Sequence, residues 1–293
     1  EAAARLDAAG SFAARGGLLR LSPAGVARLL EMHADLERAL DPSAGAPGDE
    51  AGALPWLTAI RTEWIDALSF NYAVEPAALA ALLPAPLVPD TFHGRGWVQV
   101  LVSSLRDLRP QGVPSLFGAN FYQTSYRAAV RAPGGRRGGF FLRSETNHAA
   151  MRAVGNRLTE FRFHDFGGAV MSMLKEKDRL VVGVEAERAG GDLVAIVPLQ
   201  RRADPPPRSL WRSIEDLHEP LVECYDAFGV DAPWLYTLTI DRDPWNAAFV
   251  EPEHVYCAWA EAGPLAGAAR LDSVLHVARC GYRWRPLRRL RLP

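Results

Sequence analysis

Apolar residues in this chain recur mostly at every second position, in runs that Gly, Pro and Asp clusters break at short intervals. Leu68, Phe70, Tyr72 and Val74 alternate with smaller or polar neighbours, Trp97 to Leu105 follows the turn His93-Gly94-Arg95-Gly96, and a further run covers Asn120 to Arg131. Period-two alternation is the signature of a pleated strand with one buried face. Gly134-Gly135 and Gly138-Gly139 join the Asn120 run to Phe140-Phe141-Leu142 as a hairpin, and Lys175-Glu176-Lys177-Asp178 joins Val170–Leu174 to Leu180–Val184 as another. More strands are expected over Asp192–Leu199, Leu235–Ile240, His254–Ala260 and Leu271–Arg283. Helices are fewer. Glu75-Pro76 opens a short one carrying Leu79, Leu82 and Leu83; Thr146 or Asn147 caps another with Ala150, Val154 and Leu158 on one face. A mostly helical insert runs from Asp204-Pro205-Pro206-Pro207 to Phe228. Strands not regularly separated by helices, with no repeat of fixed period, disfavour a doubly wound parallel sheet. The expected class is α+β, mainly antiparallel β, in a barrel-like domain.

Before this domain, Ser22-Pro23 is a helix-start signal, and Val26, Leu29, Leu30, Leu36 and Leu40 recur at helical spacing until Asp41-Pro42. Ser43 to Pro55 reads as a linker. The expected division is therefore residues 1–55, an N-terminal amphipathic helix and linker, and residues 56–293, the main domain. A chain of 293 residues, 48% hydrophobic, is long enough for a real core.

Charge and cysteine content narrow the function classes. A formal charge of -1 provides no global field for nucleic acid or an anionic membrane. The Arg279–Arg291 patch reads as a charged strand face. Cys224, Cys257 and Cys280 are odd in number and form no C-x-x-C pair, so neither a disulfide framework nor a cysteine zinc site is expected. No stretch approaches a membrane span and the first residues lack a signal-peptide core, which leaves a reducing cytoplasm as the expected location. The expected partner is a small molecule, not nucleic acid or membrane, with no metal and no cofactor. The sequence leaves the oligomeric state open, a homo-oligomer included.

Two segments carry candidate chemistry. Alternation puts Phe121, Gln123, Ser125, Arg127 and Ala129 on one face of their strand. In an open sheet this polar-centred face is merely wet; in a closed one it lines a cavity, where a buried arginine needs a protein carboxylate or an acidic ligand. In Glu160-Phe161-Arg162-Phe163-His164-Asp165-Phe166-Gly167-Gly168, an imidazole titrating near neutrality stands beside a carboxylate that could orient it or act itself. The competing reading is a strand with Phe161 and Phe163 packed inward and its charges outward. Lys175 and Lys177, the chain's sole lysines, sit among carboxylates at a hairpin tip, a poor setting for a neutral amine. The serine-hydrolase, zincin, P-loop and dinucleotide motifs are absent.

The order of Phe70-Asn71-Tyr72, Asp90-Thr91-Phe92-His93-Gly94, Gly96-Trp97-Val98, Phe121-Tyr122-Gln123 with Arg127, Gly139-Phe140-Phe141, Asp243-Pro244-Trp245 and Tyr282-Arg283-Trp284-Arg285-Pro286 resembles the YqjF-like family of the acetoacetate decarboxylase-like superfamily. The resemblance runs from about Trp64 to the C-terminus. It implies a cone-shaped antiparallel β-barrel with peripheral helices and a pocket in the cone. In acetoacetate decarboxylases a lysine pair performs imine chemistry; the matching stretch here, Phe163-His164-Asp165-Phe166, has no lysine, and Gln123 stands where the family tends to carry a glutamate. The resemblance thus implies non-covalent acid–base chemistry on an oxo acid or related polar metabolite. His164, Asp165 and Gln123 would be catalytic, and Arg127, Ser125, Phe121 and Phe163 would hold the substrate. Loss of the lysine pair and the glutamate equally suits a non-catalytic binding or scaffold protein.

Overall fold

A computed structural model describes residues 12–15, 18–21, 59–149, 151–152, 166–285 and 288–292. The expected N-terminal amphipathic helix and most of the expected 146–158 helix lie outside the described residues; β1 (Phe12–Arg15) and β2 (Leu18–Leu21) form an antiparallel hairpin. All other described strands join one mixed sheet.

The central strands are long and apolar on alternate residues: β3 (Ile60–Val74), β5 (Gly96–Pro110), β6 (Ala119–Arg131) and β15 (Ala269–Trp284). They lie in the order β15–β3–β5–β6, all antiparallel. α1 (Pro76–Ala80) follows β3, begins with proline at its first turn and buries Leu79; β4 (Val88–Pro89) pairs with the end of β6. Between β6 and β7 (Arg137–Thr146), Gly134 and Gly135 have φ of 79° and 78°, a left-handed pair that side chains with a Cβ resist.

β7 uses both edges along its length. One edge pairs antiparallel with β6; the other pairs in parallel with β11 (Asp226–Asp231) at Gly139–Phe140 and with β8 (Phe166–Glu176) at Ser144–Thr146. β11 continues to β12 (Trp234–Arg242), and β12 to β15. The pairing path β6–β7–β11–β12–β15–β3–β5 therefore returns to β6. A branch runs from β8 through β9 (Arg179–Ala186) and β10 (Leu193–Pro198) to β14 (His254–Cys257), which ends at α3 (Ala258–Glu261). β13 (Ala247–Val250) adds to β15, and β16 (Arg288–Arg291) to β12.

Three corrections to the sequence expectation arise here: the strand expected over His254–Ala260 ends at Cys257, where α3 begins. The helical part of the 204–228 insert ends at Val222, after α2 (Ile214–Leu217) and a wide turn at His218–Val222, and Asp226 opens a strand. The parallel β7–β11 and β7–β8 pairs also interrupt the expected antiparallel pattern, which otherwise holds.

The central sheet buries both faces. One face, with Leu68, Phe70, Val100, Val102, Tyr126 and Ala128, packs on Leu180, Val182, Leu193 and Val197 of the β8–β14 branch. The other carries Ala67, Ala73, Trp97, Leu101, Leu275 and Val277, and the insert packs on it through Trp211, Leu217, Leu221 and Val222. Trp97 and Trp211 have ring centroids 4.4 Å apart, and Trp64 stacks on Tyr282 at 4.3 Å. Among the described residues no helix is long and apolar enough to cross a membrane.

A polar latch ties the branch to the central sheet. Asp66, at φ 50° in a bulge of β3, places Oδ1 3.0 Å from His276 Nε2 and accepts Lys175 Nζ at 3.0 Å on both oxygens. Burial pushes the His276 pKa down, and the nearby Lys175 and Arg201 cations add to this, against the upward pull of Asp66. With its folded pKa lowered, the unfolded chain binds the proton first as pH falls, so stability drops below the ordinary imidazole pKa of about 6.5. Urea denaturation at about pH 7.5 and about pH 5.5 should show this loss, and His276→Gln should make the difference smaller.

Candidate functional site

The face holding Trp97 and Leu101 also carries a row of polar groups across the central sheet. Ser273 of β15 pairs in register with Asn71 of β3, Asn71 with Gln99 of β5, and Gln99 with Arg127 of β6. One straight rung thus crosses all four strands. Ser69 stands two residues before Asn71 on the same face, Ser125 and Gln123 two and four before Arg127. All are buried; Asn71 is fully enclosed and Arg127 is 6% exposed.

Hydrogen bonds run along the rung. Asn71 Nδ2 donates to Ser273 Oγ at 3.2 Å, Ser69 Oγ donates to Asn71 Oδ1 at 2.8 Å, and Gln99 Nε2 donates to Ser69 Oγ and Asn71 Oδ1 at 3.1 and 3.2 Å. Gln99 thereby turns Oε1 toward Arg127, which donates to it from Nε at 3.1 Å and from Nη2. The same Nη2 donates to the Leu221 carbonyl of the insert at 2.9 Å. That carbonyl is open to a side-chain donor because the helical segment ends at Val222, which leaves its last carbonyls without an intrahelical partner. The next carbonyl, of Val222, accepts from Arg242. Gln123 Nε2 donates to Ser125 Oγ at 2.6 Å.

Sequence reasoning required an anion for a buried Arg127, either a protein carboxylate or an acidic ligand. Its partners are neutral instead: among the described residues no carboxylate lies within ion-pair distance, and Nη1 makes no hydrogen bond. The cation acts on its surroundings. Burial raises the pKa of the neighbouring Cys224 thiol, while Arg127 and Arg242 oppose that rise. Arg127 fits only because β7 has no side chain at Gly139, where a Cβ would stand 2.6 Å from Arg127 Cδ and 2.8 Å from Cγ.

Of the expected site residues, Phe121, Gln123, Ser125 and Arg127 share one buried face. Phe163, His164 and Asp165 lie outside the described residues. Asn71, Gln99 and Ser273 were missed; the signal for the first two is a single polar residue between apolar ones, in Phe70-Asn71-Tyr72 and Val98-Gln99-Val100, whereas Ser273 follows Asp272 and carries none. His148 was missed as well. Its ring lies 5.6 Å from that of Phe121, and its Nδ1 accepts the Met151 N–H at 3.1 Å, which leaves Nε2 to carry the proton of the neutral ring. Two clefts open elsewhere, one bordered by Arg143, Arg188, Trp259 and Pro264 and one by Ile214, His218, Glu219 and Glu223; neither borders Gln123, Ser125 or Arg127.

Residues 61–279 match the DUF2071 family, described as an uncharacterized conserved protein. The chain belongs to that family. It is 31% identical over 195 residues to the uncharacterized protein YqjF of Bacillus subtilis (strain 168), a span covering 66% of this chain and 77% of that one. Its fold is similar to that of acetoacetate decarboxylase from Legionella pneumophila, with a TM-score of 0.53 at 17% identity over 86% of this chain and 94% of that one. It is similar also to the enduracididine biosynthesis enzyme MppR complexed with the condensation product of pyruvate and imidazole 4-carboxaldehyde, with a TM-score of 0.55 at 15% identity over 84% and 98% of the two chains. The chain thus has an acetoacetate decarboxylase-like fold.

The rung predicts a coupled pair. Gly139→Ala should destabilise the fold by about 1–3 kcal/mol in urea denaturation, because its Cβ overlaps the Arg127 stem. In an Arg127→Ala background the same substitution should cost much less, a non-additivity that a double-mutant cycle measures.

Proposed function

We propose that this DUF2071 member is a small-molecule enzyme that takes a short oxo acid and holds its carboxylate on Arg127. The observation that carries this reading is a buried guanidinium that has neutral partners among the described residues and an unused Nη1. A buried cation without a counter-charge is costly, and an anionic ligand removes that cost while gaining charge-assisted hydrogen bonds. Structural likeness to a decarboxylase and to an enzyme bound to a pyruvate-derived product supports the substrate class. In this reading the closed pairing path is the cone-shaped barrel implied by the sequence resemblance, and the insert that packs on the row through Leu221 controls admission.

The roles follow from the donors present. Arg127 orients the carboxylate, and the Gln123 amide and Ser125 hydroxyl are placed on the same face to hold the carbonyl oxygen, where negative charge grows in an enol-forming or decarboxylating step. His148 would move the proton through Nε2; His164 and Asp165 keep the proton-transfer role expected of them, with Phe163 beside them, as part of the proposal. An imine route would need an amine, and the chain's lysines, Lys175 and Lys177, are far along the β8–β9 hairpin, Lys175 being paired with Asp66. A non-catalytic binding role has one observation in its favour: Ser273, Asn71, Gln99, Arg127, Gln123 and Ser125 include no group that titrates near neutrality.

The test incubates the full chain with pyruvate and acetoacetate in deuterated water and follows binding and deuterium uptake or loss of substrate by proton NMR. Saturable binding should weaken about ten- to a hundredfold in Arg127→Gln. His148→Ala should keep binding and slow exchange or turnover by about 10²–10⁴. Equal affinity of Arg127→Gln and the natural chain would sink the carboxylate assignment. Binding without exchange would select the binding role, and borohydride trapping of Lys175 or Lys177 would remove the non-imine chemistry.

A further inference from the structure

The branch sheet has one face too apolar for open water. Its inner side chains, Met171, Met173, Leu180, Val182, Val184, Leu193, Ala195 and Val197, pack into the core. On the outer face, Val170 is 73% exposed, Leu174 56%, Val194 44% and Tyr256 39%. Registers arrange this face in rows: Leu174–Val181–Ile196–His254, then Ser172–Gly183–Val194–Tyr256. Charged residues stand at the two ends, with Glu176 and Arg179 beyond the first row and Glu185 beyond the second. Four strands about 4.8 Å apart and about six residues long make a face of roughly 400 Å² in plan, whose apolar part is Leu174, Val181, Ile196, Val194 and Tyr256.

We propose that two copies of this chain pair through this face, about a two-fold axis that lies in the interface and crosses the strands between the two rows. The partner is argued from the face's self-complementarity. Such an axis lays each strand antiparallel over its own copy, so Leu174 meets Ser172, Val181 meets Gly183 and Ile196 meets Val194. Leu174 and Val181 thus face the small Ser172 and Gly183, while Ile196 meets Val194 and His254 meets Tyr256. The same operation sets Arg179 against Glu185 twice. Arg179 is half exposed, with one long contact to Glu253 at 3.4 Å, and Glu185 has no ion-pair partner among the described residues. An axis along the strands would instead lay β9 over β10 and leave both charges unmatched, so charge selects the first arrangement. Gly183 is the hollow that admits Val181: a Cβ built there would meet only Ser172 Oγ, at 3.0 Å. With its charged rim the contact approaches about 1,000 Å² in total, the lower end of specific interfaces, and calls for a reversible, concentration-dependent dimer.

Sedimentation velocity on the full chain, from about 1 to about 100 μM, reads the equilibrium directly. A dimer should form within that range. Arg179→Glu opposes like charges at both ends, and Gly183→Gln fills the hollow with a polar group; each should raise the dissociation constant about tenfold or more while circular dichroism shows an intact fold. The double reversal Arg179→Glu/Glu185→Arg should restore pairing to near the natural value, a rescue that a purely local effect of either residue would not give. A chain that stays monomeric throughout overturns the proposal. A dimer indifferent to these substitutions overturns it as well, by placing the contact elsewhere.

Discussion

A positive charge almost enclosed by protein organises this molecule. Arg127 reaches its place only because four strands bring Ser273, Asn71 and Gln99 into one register and because β7 presents bare backbone at Gly139. Asn71 is held from both sides, so its oxygen fixes the Gln99 amide, and the Gln99 oxygen is thereby committed to the guanidinium. Each amide in the chain of bonds is oriented by the one before it. A buried polar network of this kind is satisfied as a unit, and a slip of one residue in any of the strands would turn a member to the opposite, mostly apolar face.

The two cores divide the labour. The face packed on the branch sheet is a conventional apolar sandwich, with Leu68, Phe70 and Val100 fully buried. The face under the insert mixes aromatic residues with the polar rung, and its cover is made of turns, not strands. The cover is fastened by polar contacts: Arg127 and Arg242 to successive carbonyls, Arg137 to Glu219 at 2.7 Å, and Asp272 to Ser209 and Leu210. These contacts add to the apolar packing of Trp211, Leu217, Leu221 and Val222, so the cover is held by buried side chains and by hydrogen bonds together.

Local pattern and long-range pairing were unequally legible in the sequence. Alternation located β3, β5, β6, β8, β9, β10, β12 and β15: β9 and β10 have one buried face, and β3, β5 and β6, buried on both, set large apolar residues on one face and small or polar ones on the other. The row Phe121, Gln123, Ser125 and Arg127 was legible for the same reason. The rest of the rung was not, since Asn71, Gln99 and Ser273 meet Arg127 only through register between strands far apart in the chain. β11 was read as the tail of a helical insert because Asp226–Asp231 is short and follows helical residues, and its place is set by two neighbours at once. The parallel pairs of β7 depend on crossovers that local sequence does not record. His148 escaped notice because its role comes from ending β7 beside Phe121, a matter of position and not of motif.

Gly139 and Arg127 have a consequence for descent. Because one long side chain occupies the space that the other residue leaves empty, neither position is free to drift alone: a lineage that retains the cation inherits the bare backbone opposite, and one that shortens the side chain is released from the glycine. In a collection of relatives the two columns would hold a single piece of inherited information, and their joint variation would separate members that keep this site from members that have abandoned it.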